Sequence, residues 1–385
     1  MAGVIFGFVL FLLVIIATFF SLVNVLTALA GLKPARNYSA YQPKVSVIVR
    51  SWNDDAVIER CITNLLEQNY PSDKFEVIIA DDSTDDKTKD ICEKFSDIRY
   101  VKVPHKELKA EIIDYVINNC AVGELIAETD ADAVADKNWL AEIVKPFQDR
   151  SVAGATGPVV AGNWNSLIAA TRAIEDFWHF CSGAGGRYSL AKAGIIYGGN
   201  KAYRKSAWME VGGHPTKTMA EDAEISMKFV EKGYKVVFAR NALVMQEEVG
   251  TVKQYLSERK RWTSADFAVW NKYGNIIKSN MLHHFLLMSN FSMDAWLFFS
   301  WLFIWFEPLF IIPLLLSLIT LWIGFAEYKA RLGFYLFAGA YTILNPLLQT
   351  LAILGVLKDR YFGSGVKWDK VWHHQIPLKW PVKKI

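Results

Sequence analysis

The sequence predicts an α/β fold, a mostly parallel sheet of Rossmann-like type with apolar helices at both ends of the chain. Three observations carry this. Strand-like and helix-like runs alternate from Lys44 to Ala239, the signature of βαβ units and a parallel sheet. Several strand runs end in acidic clusters, which share one edge if the sheet is parallel. And the chain of 385 residues is 52% hydrophobic, with the excess gathered at its two ends.

The amino-terminal run has no charge before Lys33 and is nearly continuous Val, Ile, Leu, Phe and Ala from Val4 to Leu32. About 20 apolar residues cross a bilayer as a helix. A signal peptide fits less well, because no basic region precedes the run and the apolar stretch is too long. Residues 1–36 therefore read as a retained transmembrane helix. Lys33 and Arg36 follow it, which puts the next domain on the cytoplasmic side.

After a polar linker at 37–44, Lys44–Val49 is a buried strand run and Asp55–Gln68 has helical spacing, ended by Pro71. Phe75–Ala80 is a second strand and runs into Asp81-Asp82. A short helix at Thr88–Phe95, a strand at Ile98–Val103 and a helix at Lys109–Cys120 follow. The next strand, centred on Leu125–Ala127, delivers Asp130-Ala131-Asp132 at its carboxyl end. Beyond it come helices at Trp139–Phe147 and Ser166–Phe180 and a strand at Ala153–Val160. Ser182–Arg187, rich in glycine, reads as a loop, and Ile195–Tyr203 as a strand broken by glycines. Helices at Ser206–Val211 and Ala223–Gly233, a strand at Val236–Ala239 and a helix at Val252–Trp270 complete this region, a domain over residues 37–280.

Phe285–Phe325 and Phe334–Leu357 are again apolar. Residues 281–357 read as an interfacial helix followed by two transmembrane helices. A tight turn at Glu307-Pro308 would instead make three. The tail, 358–385, carries Lys358, Arg360, Lys367, Lys370, Lys379, Lys383 and Lys384 together with Trp368, Trp372 and Trp380, which suits the cytoplasmic membrane surface. A net charge of +3 is too balanced to argue for nucleic acid. The four cysteines are scattered without a C-x-x-C pair, so neither a zinc site nor a disulfide framework is expected.

The chemistry concentrates in the carboxylates. Asp130 and Asp132, two residues apart at a strand end, suit a hard divalent cation such as Mg²⁺ or Mn²⁺, which takes oxygen ligands and bridges phosphates. Around them the motifs fall into a known order. Val45–Val49, Asp81-Asp82 with Ser83-Thr84-Asp85, Lys109, Asp130-Ala131-Asp132, Gly198–Arg204, Glu221-Asp222 and Arg261-Trp262 together resemble the catalytic domain of a membrane-bound family 2 glycosyltransferase with the GT-A fold. The resemblance implies an inverting, metal-dependent transfer of a sugar from a nucleotide-diphosphate sugar, UDP before GDP. It implies Asp82 at the nucleotide base, Lys109 and Arg261 on the diphosphate, Asp132 and Asp130 at the metal and donor, and Asp222 with Glu221 as the base pair. It places Gly199, Asn200 and Trp262 on the acceptor side. His214, beside Gly213, and His105, near the nucleotide side, are weaker candidates.

Three positions depart from the family pattern. Glu258 stands where glutamine opens the Q-x-x-R-W signature, Ala220 where threonine often precedes Glu-Asp, and Gln246 where a histidine often follows the last strand. Ala220-Glu221-Asp222 and Val244-Met245-Gln246 are similar to ceramide glucosyltransferases, which points to a lipid or lipid-linked acceptor. Arg261-Trp262 is shared with hyaluronan, chitin and cellulose synthases, so a processive polysaccharide synthase is the alternative. A catalytically inactive sugar-binding membrane protein is the third reading.

Overall fold

The alternating runs fold as their patterning demands in this computed structural model, which describes residues 2–32, 41–106, 108–215, 220–362 and 377–381. Helix α1 (Ala2–Gly31) is followed by β1 (Val45–Ser51), α2 (Ile58–Leu66), β2 (Phe75–Asp81), α3 (Lys87–Cys92), β3 (Ile98–Lys102), α4 (Lys109–Asn119) and β4 (Leu125–Asp130). The four strands are parallel in the order β3-β2-β1-β4. Their β-branched cores are buried on both faces, as in parallel sheets. Val47 and Val49 pack with Cys61 and Leu65 of α2, and Ile48 and Ile78 with Ile112, Ile113 and Val116 of α4. Ser51 lies opposite Asp81 and Arg50 opposite Asp130, so the acidic strand ends share one edge.

The chain continues through β5 (Val134–Ala135), α5 (Trp139–Val144), β6 (Val152–Thr156), β7 (Val159–Ala161), α6 (Leu167–Trp178), α7 (Arg187–Ala191), β8 (Asn200–Arg204), α8 (Lys205–Glu210), α9 (Glu221–Glu231), β9 (Lys235–Phe238), β10 (Val244–Gln246) and α10 (Val252–Ser279). The main sheet has the order β3-β2-β1-β4-β8-β6-β9, and β8 is antiparallel to both neighbours. That reversal matters for function. It brings the start of β8, rather than its end, to the acidic edge, with Asn200 opposite Thr129. A small second sheet, β5-β10-β7, lies beside that edge.

Four expectations change. The strand expected at 153–160 divides at Gly157-Pro158, because proline offers no N–H to a ladder, and β7 joins the second sheet. The strand expected at 195–203 shrinks to β8. The helix from Val252 runs on to Ser279. The glycine-rich stretch at 182–187 is not a loop: His179–Gly186 is π-helical and joins α6 to α7. Its small residues lie against α1, where a Cβ on Gly186 would come within 2.2 Å of the Thr27 carbonyl oxygen. Small residues permit such close helix contact.

Among the described residues, three helical segments are long and apolar enough to cross a membrane: Gly3–Gly31, Pro308–Glu327 and Leu332–Lys358. They belong to α1, to α12 (Ile311–Glu327) with the turn before it, and to α13 (Leu332–Phe362). Helix α11 (Met281–Phe303), where the interfacial helix is expected, is not among them. It packs along α1, where Asn290 Nδ2 donates to Asn24 Oδ1 at 2.8 Å and Trp296 stacks on Phe20 at 5.9 Å. Lys33, Arg36, Lys367, Lys370, Trp368, Trp372, Lys383 and Lys384 lie outside the described residues. Trp380 is half-buried and packs on the aromatic cluster around Phe177 and Phe334, and the neighbouring Lys379 N–H donates to the Gly162 carbonyl at 2.8 Å.

Candidate active site

Asp130 closes β4, and Asp132 follows in the turn that Ala133 N–H ties back to the Asp130 carbonyl at 3.1 Å. Lys109, the first residue of α4, places Nζ 2.5 Å from Asp130 Oδ1. Gln246, at the end of β10, donates Nε2 to Asp130 Oδ2 and to Asp132 Oδ1, both at 3.1 Å. Burial works against ionisation of Asp130, but the Lys109 ammonium outweighs it and holds the carboxyl down at about 2. Asp130 is therefore anionic, and one oxygen of each acid converges on a single donor.

That convergence tests the fit to a metal. One amide nitrogen reaches an oxygen of each carboxylate, so a single cation could be held by the same pair. Among the described residues no cluster of three or more His, Cys, Asp or Glu side chains could hold a metal. Two carboxylates without a third protein ligand suit a hard ion that keeps waters and takes phosphate oxygens, as Mg²⁺ and Mn²⁺ do.

Asp222 lies in the first turn of α9. Its Oδ1 accepts from Lys201 Nζ, and a Cβ on Gly198 would come within 3.0 Å of its Oδ2. A Cβ on the next residue, Gly199, would come within 3.0 Å of Asp130 Oδ2 and of Gln246 Oε1. The glycine pair thus runs between the two acidic groups with no side chain filling the gap. Glu221 is pushed above the usual carboxylate range by burial and by the neighbouring Asp222 charge.

Other expected residues fall into different surroundings. Asn200 is fully buried: its amide donates to the Pro158 and Ala242 carbonyls and accepts from Trp139 Nε1. It braces the strand rather than facing an acceptor. Asp82 is held by Arg50 through two bonds of 2.9 and 2.6 Å and lies 2.8 Å from His105 Nδ1. Trp52 stacks on His105 at 4.7 Å, giving this end of the cleft an aromatic face. Asp81 is internal, bound by Tyr100 and Lys102. Arg261 is half-buried on α10 and makes no ion pair or hydrogen bond among the described residues. The Trp262 ring lies under two guanidinium groups, Arg172 at 5.0 Å and Arg259 at 4.7 Å. Glu258 stands 3.7 Å from Arg172, so the glutamate at the glutamine position shares that cation with Glu175, Asp176 and Glu248. His214 is buried against Asp114, with Nδ1 at 2.5 Å.

Two residues were not assigned a role from sequence. Gln246 reads there only as a departure from the family pattern, and here it spans both acids. Lys201 reads there only as part of a glycine-broken strand. A charged lysine in a short strand run of otherwise uncharged residues, Gly198 to Tyr203, was the available signal.

A family model, Glycosyl transferase family 2, matches residues 46–212. A probable glycosyltransferase, YdaM, of Bacillus subtilis is 28% identical over 60% of this chain and 57% of its own. A beta-monoglucosyldiacylglycerol synthase of Trichormus variabilis is 26% identical over 62% of this chain and 52% of its own. The chain thus spans about half the length of these curated relatives. Among solved structures, the mannosyltransferase PcManGT of Pyrobaculum calidifontis, in complex with GDP-Man and Mn²⁺, superposes with a TM-score of 0.59 over 91% of this chain and 98% of its own, at 20% identity. It shares the fold. With this sheet order, this acidic edge and this family match, the chain carries a family 2 glycosyltransferase domain.

Proposed function

We propose that this protein moves a sugar, with inversion at the anomeric carbon, from a nucleotide-diphosphate sugar to a lipid or lipid-linked acceptor at the cytoplasmic face of a membrane. The observation that carries it is the glycine pair: Gly198 faces Asp222 and Gly199 faces Asp130. Consecutive Cα atoms are about 3.8 Å apart, so a base and a donor-side carboxylate stand beside neighbouring residues of one side-chain-free segment.

The donor enters over the carboxyl edge of β1, β2 and β4. Its base lies toward Asp82 and the Trp52–His105 face, and UDP is the expected nucleotide. Lys109 and Arg261 take the diphosphate charge. Asp132 and Asp130 would hold Mg²⁺ or Mn²⁺, which when bound supplies positive charge to the departing diphosphate. Asp222 accepts the proton of the acceptor hydroxyl through Oδ2, with Glu221 beside it, and the hydroxyl oxygen attacks the anomeric carbon opposite the leaving group. Trp262 lines the acceptor entrance. The apolar helices, and the glycolipid synthase among the relatives, support a lipid acceptor.

The test is nucleoside-diphosphate release by the full chain in detergent with Mn²⁺, using UDP-glucose and GDP-mannose against vesicles with and without diacylglycerol. Wild type should release nucleotide in a vesicle-dependent way and form a single-sugar glycolipid. Asp222→Asn should keep donor affinity and lose turnover by about 10²–10⁴-fold, the range for a general base. A ladder of polymers would replace the lipid reading, and undiminished turnover by Asp222→Asn would remove its role.

A further inference from the structure

We infer that Lys201 is a positioning residue that fixes the Asp222 carboxylate for proton abstraction, an inference that rests on the base role proposed above. The Lys201 side chain is 1% exposed, so its ammonium reaches neither a sugar nor a diphosphate in the cleft. Whatever it does, it does through its partners. Nζ donates to Asp222 Oδ1 and lies 3.3 Å from Glu128 Oε2.

The antiparallel placement of β8 creates this arrangement. Its register sets Lys201 directly opposite Glu128 on β4, so the ammonium is anchored within the sheet independently of α9. Glu128 is itself fully enclosed. The Tyr203 hydroxyl donates to its other oxygen, and His214 Nε2 stands 3.9 Å away. Burial alone would favour the neutral amine, but Asp222 and Glu128 raise Lys201 above the ordinary lysine value and keep it charged.

The consequence falls on Asp222. The terminal torsion of an aspartate is broad and roughly two-fold, so a carboxylate in a cleft would swing. Lys201 holds Oδ1, which leaves Oδ2 turned to the Cα of Gly198. The base is thereby presented with one oxygen occupied and the other facing the gap. Misplacing a reacting group by about 1 Å can cost 10²-fold in rate, so a lysine that never touches substrate can still govern turnover.

Lys201→Met keeps the length of the stem but leaves Glu128 buried without a counter-charge, so the double variant Lys201→Met/Glu128→Gln removes both charges together. Each is compared with wild type in vesicles containing diacylglycerol, using UDP-glucose or GDP-mannose, whichever turns over. Binding of Mn²⁺–UDP or Mn²⁺–GDP is measured alongside. Both variants should lose about 100-fold in kcat, with KM and nucleotide affinity within about twofold of wild type. Adding Asp222→Asn to the double variant should cost nothing beyond Asp222→Asn alone, because both act at one atom. If Asp222→Asn is inactive while Lys201→Met/Glu128→Gln turns over normally, the positioning role is wrong and the base role survives. Losses that multiply with Asp222→Asn, or that fall equally on nucleotide affinity, make Lys201 a structural ion pair and also overturn the inference. Normal turnover by Asp222→Asn itself overturns the base reading instead.

Discussion

Two polar networks in this molecule contain the same residue types in opposite states. In the cleft, the Asp130 and Asp222 side chains keep 32% and 21% of their surface exposed. Where the domain meets the apolar helices, Arg172, Glu175, Asp176 and Glu248 keep only 5–8%. There Arg172 binds Glu175 at 2.8 Å and Glu248 at 3.1 Å, with Asp176 at 3.6 Å. Arg259 of α10 closes on the same Glu175, and Gln349 of α13 donates to it at 3.4 Å. The cleft charges can exchange a lysine or an amide for a ligand. The junction charges have no such freedom, since removing one partner leaves another buried and uncompensated. Substitutions in the cleft should therefore change turnover, and those in the junction should change stability.

The largest effect that separates the two belongs to Asp132. Asp132→Asn should lower turnover about 10³-fold, in line with losing one preorganised electrostatic contact. Asp132 is itself only 3% exposed, so the matching stability control is Asp130→Asn, whose unfolding temperature in detergent should stay within about 2 °C of wild type. Titrating Mn²⁺ against turnover should show a weaker apparent metal affinity. Unchanged turnover would place the metal elsewhere.

The cleft was more legible in the sequence than the junction, for a physical reason. Asp130 and Asp132 follow a buried apolar strand, and Lys109 opens an amphipathic helix, so each feature is visible in a local window. Their meeting follows from parallel strands alone. Lys201 and Gln246 were opaque because their roles depend on pairing across the sheet: the reversal of β8 sets Lys201 on Glu128, and β10 joins a separate sheet before reaching Asp130. The stretch at 182–187, π-helical as far as Gly186, reads as a loop from its glycines, of which Gly186 serves a contact with Thr27 of α1, more than 150 residues earlier. In the junction, Arg172, Glu175 and Asp176 sit at i, i+3 and i+4, a spacing that pairs charges on one helix face. What stayed hidden was that the face is buried.

The second test strikes the junction at the carboxylate shared by both arginines. Glu175→Gln keeps the shape and removes the charge between Arg172 and Arg259. It should cost about 3 kcal/mol of stability, read as a fall in unfolding temperature. Nucleotide affinity of the folded fraction should not change. A loss of nucleotide affinity at unchanged stability would mean that the networks are one.

A pH series sharpens the contrast. Burial, helped by Glu258 and opposed by Arg172, pushes Glu248 up to about 7. A carboxyl raised in the folded state binds more protons there than in the unfolded chain. Its contribution is fully present below the unfolded value and is lost as pH rises through about 7. Lowering pH from 7.5 to 5 should thus stabilise the junction, by up to about 2 kcal/mol, and Glu248→Gln should flatten that dependence. Asp130, held at about 2, does not titrate in this window, but Glu221 in the cleft is also raised by burial, so a dependence that flattens in Glu248→Gln and persists in Glu221→Gln assigns the trend to the junction.

The smallest expected effect concerns a carboxy-terminal segment that touches both regions. Trp380 packs into the aromatic cluster at the junction, and Arg331 Nε donates to its carbonyl at 3.2 Å. Next to it, the Lys379 N–H binds the carbonyl of Gly162, whose own N–H donates to the Gln246 carbonyl at 2.7 Å. Leu378 fills the space over Gly162: a Cβ there would come within 2.8 Å of its Cδ2. The carboxy-terminal segment therefore leans on the strand that carries Gln246 to Asp130 and Asp132. Leu378→Ala should cost about 1 kcal/mol of stability, since the residue is only half-buried. If residues 377–381 merely cover the junction, nucleotide affinity will not move. If they also steady β10, apparent Mn²⁺ affinity should weaken by about two- to threefold through Gln246, roughly 0.5 kcal/mol. The contacts at Gly162 favour the second outcome, which would join two regions that otherwise behave separately.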